Sequence, residues 1–148
     1  LIEKAIKPIE ELIKNKNIKV NYDIENIFLY VDLNWMSEAI LNILKNACEH
    51  TLDEINIKVS DNPIFTLISI TDNGSGISKE DLPHIFERFY KSNTKSDSIG
   101  IGLNMSFKIV TLQNGIIEVQ TSGDKTTFII KLFKNDKFVT KKSLESNN

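Results

Sequence analysis

The sequence predicts an α+β fold, a two-layer α/β sandwich in which a mixed, mostly antiparallel sheet carries three main helices on one face. Three observations point there. Apolar residues recur at helical spacing in three separate stretches, and alternating apolar runs cluster as adjacent hairpins. The 148 residues, 41% hydrophobic and 26% charged, suit one soluble globular domain with one substantial core.

Residues 1–14 set Ile2, Ala5, Ile6, Ile9, Leu12 and Ile13 at helical spacing among Glu and Lys, an amphipathic helix that Pro8 either kinks or begins. Residues 18–31 alternate or run apolar, which predicts two strands separated at Glu25-Asn26. Asp32 is placed to N-cap a long helix with Trp35, Met36, Ala39, Ile40, Ile43, Leu44 and Ala47 on its buried face. Ile55, Ile57 and Val59 alternate as a strand, Asp61-Asn62-Pro63 turns, and 64–70 forms a second strand that delivers Asp72 at its end. Residues 72–102 are rich in Gly, Ser, Asn, Asp and Lys apart from the apolar block at 85–90, and so long an irregular segment is usually functional or mobile. A third helix buries Leu103, Phe107 and Val110 with Met105, Ile109 and Leu112, and Asn114-Gly115 closes it. Strands around 116–121 and 127–133 finish the fold as a hairpin across 122–126. The domain is therefore expected over 1–133, with a polar, flexible tail over 134–148.

A net charge of −2 means that polyanions must be held by local donors, so nucleic acid is not an expected partner. The single cysteine, Cys48, excludes an internal disulfide or thiolate cluster and reads as a small buried hydrophobe on a helix. No apolar run approaches the ~20 residues that span a bilayer, and no secretory signal is present. The chain opens at Leu1 and not at methionine, which predicts a fragment of a longer protein with room for a membrane segment upstream.

Chemistry concentrates in four places. Asp72-Asn73-Gly74-Ser75-Gly76-Ile77 puts a carboxylate beside two glycines directly after an apolar strand. A carboxylate accepts from the exocyclic amine of adenine, where guanine offers a carbonyl, and the glycines let backbone approach a flat ring; the same string also makes an ordinary turn. Asn42 and Asn46, four apart, share a helix face opposite Ile43 and Leu44. Amide oxygens are hard neutral ligands suited to Mg²⁺, or else the two are simply solvated. Gly100-Ile101-Gly102-Leu103 stands where a helix begins, either a phosphate site or a hinge. The block at 85–91 offers two aromatics to anchor on the core, with Arg88, Lys91 and Lys95 beside them as cations for a triphosphate; Arg88 pairing with Glu87 or another surface acid is the equal alternative. His50 and His84 are isolated from any metal-ligand cluster.

In this order the four segments resemble the N, G1, F and G2 boxes of the catalytic, ATP-binding domain of sensor histidine kinases. Asn42-Ile43-Leu44-Lys45-Asn46-Ala47 is similar to the first, Asp72 to Gly76 to the second, Phe86-Glu87-Arg88-Phe89-Tyr90 to the third and Gly100 to Leu103 to the fourth. The resemblance implies a Bergerat-type sandwich, shared with gyrase-like ATPases, that binds Mg-ATP beneath a lid. Carried over, Asn46 coordinates Mg²⁺, Asn42 supports metal and phosphates, and Asp72 holds adenine with Thr126 behind it. Gly74, Gly76, Gly100 and Gly102 border the nucleotide, and Ile77, Phe89, Tyr90, Lys91, Lys95, Ile101 and Leu103 complete its contacts. Asn42, Asn46 and Arg88 form the expected catalytic set. Gyrase-like ATPases place a glutamate general base where this chain has Asn42; an amide abstracts no proton, which favours phosphoryl transfer to a neutral histidine over hydrolysis.

The implied partners are a dimerisation and histidine phosphotransfer domain and, through it, a response regulator. The parent protein is expected to be a membrane-anchored homodimer with this domain in the cytoplasm, monomeric by itself. The chain departs from the family at three points. Glu49 stands where a lysine is frequent, Asp97-Ser98-Ile99 replaces further glycines before Gly100, and no phosphoacceptor histidine is present, since His84 follows Pro83. A related serine kinase of the anti-sigma-factor type and a non-catalytic docking module are the competing readings.

Overall fold

The computed structural model describes residues 1–90 and 102–134. Pro8 breaks the N-terminal amphipathic stretch: α1 (Ile2–Ile6) passes through a 3₁₀ turn (Lys7–Ile9) into α2 (Glu10–Asn15). Proline lacks the N–H that a continuous helix needs there. Ile2, Ala5, Ile6 and Ile9 are nonetheless buried along one side.

β1 (Lys19–Ile24) is the first strand, and the second one expected over 27–31 does not form. The apolar alternation there is real. Ile27, Leu29 and Val31 pack partly against the core, while Phe28 and Tyr30 point outward with 97% and 80% of their surface exposed. A period of two reports which side faces the core; a strand also needs a ladder partner, and β1 instead pairs with β2 (Glu54–Asp61).

α3 (Leu33–His50) starts where Asp32 Oδ1 accepts the Trp35 N–H at 2.9 Å, the expected N-cap. Met36, Ala39, Ile40, Ile43, Leu44 and Ala47 are fully buried. Trp35 is not. It lies about 100° around the helix from Met36, outside that stripe, and remains more than half exposed. Cys48 is buried on the same helix, as expected.

β3 (Phe65–Asp72) runs antiparallel to β2 through a turn in which Asn62 Oδ1 accepts the N–H groups of Ile64 and Phe65, both at 2.8 Å. α4 (Gly102–Leu112) buries Ser106, Ile109 and Val110, with Leu103 packed partly against the core. Met105, Phe107 and Leu112, expected inside, are exposed, because the helix meets α3 through its small residues rather than its largest ones. Asn114 takes φ 59°, the left-handed conformation that ends a helix, and β4 (Gly115–Ser122) leads across Gly123-Asp124 into β5 (Lys125–Phe133).

The five strands lie in the order β1-β2-β3-β5-β4, parallel only between β1 and β2. Ile55, Ile57, Ile68, Ile70, Phe128 and Ile130 belong to one buried cluster with the apolar stripe of α3. The mixed, mostly antiparallel sheet with its helical layer is the architecture the sequence predicts. Among the described residues no helix is long and apolar enough to cross a membrane.

Candidate functional site

Asp72 ends β3 with 2% of its surface exposed, flanked in register by Ile55 on β2 and Thr126 on β5, itself buried. Its Oδ1 accepts the Gly74 N–H at 2.9 Å. Burial pushes its carboxyl above the ordinary carboxylate range, opposed by the Gly74 N–H and by the charge of nearby His50. Gly74 has no room for a side chain, since a Cβ would stand 2.0 Å from the His50 carbonyl oxygen. Gly76 takes φ 80°, and a Cβ on it would meet Thr121 Oγ1 at 2.8 Å. Ile77, next along, packs partly against the core.

Asn73, which the sequence offered only as a turn residue, is a clamp. Its Oδ1 accepts from Thr51 Oγ1 at 2.8 Å and from the N–H groups of Asp53 and Glu54, and its Nδ2 donates to Asp53 Oδ1 at 2.7 Å. This ties the loop after β3 to the loop after α3. No sequence signal announces it, because the partners lie about 20 positions away.

On α3, Asn42 and Asn46 are half-buried on the shoulder of the apolar stripe, not on the side opposite Ile43 and Leu44. A Cβ on Gly102 would sit 3.6 Å from the Cβ, Cγ and Oδ1 of Asn42, so the first residue of α4 packs directly on that amide. Ser106, one turn on, donates from Oγ to the Ala39 carbonyl at 2.7 Å and fixes the two helices together. Positions 42, 46 and 50 follow each other at intervals of about 6 Å along α3. The row therefore runs from the start of α4, at Asn42, to the glycine beside Asp72, at His50. Glu38, a turn earlier, instead lines a groove with Lys4 and Pro8. Glu49 is exposed in the last turn, with its carboxylate 3.9 Å from His50 Nε2.

In the block after Pro83 one aromatic, Phe86, is anchored, against Phe107 and Phe128 at centroid distances of 5.7 and 6.2 Å. Phe89 is not. It is 57% exposed with φ 66°, and the Arg88 guanidinium lies 4.7 Å over its ring. Glu87 binds His84 Nδ1 at 2.8 Å rather than Arg88. The Tyr90 hydroxyl donates to Asp81, which lowers the pKa of that carboxylate and raises that of the phenol, and the Tyr90 ring stacks on His84. Leu103 follows Gly102 into α4. Lys91, Lys95, Gly100 and Ile101 lie outside the described residues. Among those described, no three His, Cys, Asp or Glu side chains gather as a metal cluster.

Residues 31–136, most of the chain, match the family described as histidine kinase-, DNA gyrase B-, and HSP90-like ATPase. The chain belongs to that family. Among relatives of this ATPase domain, the heme sensor protein HssS of Staphylococcus epidermidis is 33% identical over 135 residues, covering 90% of this chain and 30% of HssS. The sensor histidine kinase YclK of Bacillus subtilis is 31% identical over 132 residues, covering 84% of this chain and 28% of YclK. The chain thus spans less than a third of the length of these curated relatives. The solved catalytic domain of histidine kinase ThkA superposes with a TM-score of 0.77 at 26% identity, covering 90% of this chain and 91% of that one. The mycobacterial sensor histidine kinase MprB shares the fold, with a TM-score of 0.77 at 21% identity over 88% of this chain and 92% of its own.

Proposed function

We propose that this ATPase-family domain binds Mg-ATP and donates the γ-phosphate to a histidine on a separate dimerisation and phosphoacceptor domain, which passes it to a response regulator. The observation that carries the reading is the contact between the Asn42 amide and Gly102 at the start of α4, about two turns along α3 from the end that abuts the loop of buried Asp72. The donor set fits the nucleotide and its metal. Asn46 offers a neutral amide oxygen of the kind Mg²⁺ accepts while keeping its waters, and Gly102 puts no side chain between Asn42 and the N-terminus of α4, the end of a helix that favours a phosphate.

In this reading Asp72 accepts from the adenine amine with Thr126 behind the ring, while Gly74 and Gly76 border the base and Ile77 and Leu103 line it. Asn46 holds the metal, Asn42 supports metal and phosphates, and Arg88 with Lys91 and Lys95 supplies cations, with Phe89 and Tyr90 at the mouth. Gly100, Ile101 and Gly102 border the phosphates. Bound Mg²⁺ would neutralise phosphate charge. Asn42 takes no proton, which suits a neutral imidazole acceptor and disfavours activation of water. The parent protein is a membrane-anchored homodimeric sensor with this domain on the cytoplasmic side.

Titration calorimetry with a non-hydrolysable ATP analogue tests the binding half. Affinity should depend on Mg²⁺ in the wild type and lose that dependence in Asn46→Ala; an unchanged Mg²⁺ response in the variant refutes the metal assignment. For the transfer half, the domain is mixed with the dimerisation domain of its parent protein and radiolabelled ATP. Acid-labile label on that domain is expected, and label on serine instead would favour a serine kinase.

A further inference from the structure

The segment 78–90 is a small module with its own internal bonds. Ser78 caps it through Asp81, and the N–H groups of His84, Glu87 and Tyr90 bond to carbonyls three residues back. The Tyr90 hydroxyl closes it onto Asp81. Among the described residues one hydrogen bond leaves the module for the rest of the fold: Asn104 Nδ2 donates to the Phe86 carbonyl at 2.9 Å. Asn104 is half-buried in the first turn of α4, two residues after the Gly102 that packs on Asn42.

From this geometry we propose that Asn104 is a positioning residue: its side-chain amide pins the Phe86 backbone to the first turn of α4, and so sets where Arg88 stands relative to the phosphates. The pin and the Phe86 ring do different work. The ring's contacts with Phe107 and Phe128 hold the module down, but a ring in an apolar contact leaves its backbone free to pivot. A directed N–H···O bond at the carbonyl removes that freedom. Arg88 is two residues beyond Phe86, and the chain that leads to it starts at the pinned carbonyl, so its reach is fixed by the backbone there and not by the ring alone. The α4 turn that carries Asn104 also carries the contact to the metal-side amide, so one rigid element registers both sides of the site. The role of Arg88 toward phosphates rests on the proposed function; the pin itself does not.

Two variants separate donor from bulk. Asn104→Ala removes the amide, and Asn104→Asp keeps its shape but sets an acceptor against the Phe86 carbonyl. Without nucleotide, limited trypsin should cleave after Arg88 about threefold to tenfold faster in both, as expected for losing one neutral hydrogen bond from a locally opening segment. Wild-type rates in Asn104→Asp would mean that only side-chain volume matters and would overturn the proposal. In the unaltered protein the Asn104 Nδ2 protons should exchange slowly by NMR, and fast exchange would overturn it without recourse to any variant. With the Mg-bound ATP analogue, both variants should bind about threefold to tenfold more weakly, and their dependence on Arg88 should vanish: adding Arg88→Ala costs affinity in the wild type and nothing further in Asn104→Ala. Should the wild type bind no analogue while the trypsin and exchange results hold, the proposed function fails and the pin stands.

Discussion

Asp72 is held in its buried place by its own chain, through the Gly74 N–H, and that arrangement separates its contribution to stability from its contribution to binding. An asparagine keeps an Oδ1 for the same N–H and buries no charge. Because burial raises the carboxyl pKa of the folded protein above its unfolded value, the stability Asp72 contributes is full below the ordinary carboxylate range, about pH 4, and is lost as pH rises through the folded value. Asp72→Asn should therefore melt no lower than the wild type at neutral pH, and its advantage should grow in paired thermal melts as pH rises from about 4 through the raised folded value. A constant offset across that range would contradict the burial argument. The same variant should weaken the ATP analogue about tenfold to a hundredfold, the loss of a hydrogen bond to a charged acceptor, and change the affinity for the guanine analogue far less. Equal losses for the two purines would remove Asp72 from the base pocket.

At the scale of elements, two glycines with opposite surroundings show which junctions are tight. Gly74 has the His50 carbonyl where a Cβ would go, so Gly74→Ala must push the end of α3 away from β3. About 1–3 kcal/mol of stability should be lost, a fall of several degrees in melting temperature by circular dichroism. Gly102→Ala meets Asn42 only at ordinary contact distance and replaces glycine by a better helix former, so its melting temperature should hold or rise while calorimetry shows weaker nucleotide binding. A destabilised Gly102→Ala with normal binding would show that the α3 to α4 junction serves packing alone. What sequence made legible at this scale is what local chemistry decides: the Asp32 N-cap, the Asn62 turn, the Asn114 helix end and the strand that delivers Asp72. The segment 27–31 misled because its alternation is a record of burial, and ladder pairing is decided by a neighbour elsewhere in the chain. Trp35 and Leu112 misled because apolar character alone does not say where a helix's contact stripe stops. Asn73, Asn104 and Ser106 carry no signal at all in one dimension, since each acquires its role from a partner between 18 and 67 positions away.

For the whole molecule, the site is assembled from parts that do not hold each other without the fold: β3 supplies Asp72, β5 Thr126, α3 the two asparagines and α4 the packed glycine. A ligand that bridges these parts must stabilise the folded state by linkage, about 2.7 kcal/mol at a hundredfold excess over its dissociation constant. For a chain of this size that is a rise of roughly 5–10 °C in melting temperature. Most of the rise should need Mg²⁺, because in the proposed function the metal would join the α3 amides to the phosphates while Asp72 would engage only the base. Asn46→Ala should then retain the smaller, metal-independent part of the shift, Asp72→Asn should lose the base-dependent part, and the double variant should melt at one temperature with or without ATP. Differential scanning fluorimetry over a nucleotide series, with and without EDTA, reads all three. If ATP raised the melting temperature of the double variant as much as that of the wild type, the nucleotide would be held somewhere other than between α3 and the end of β3.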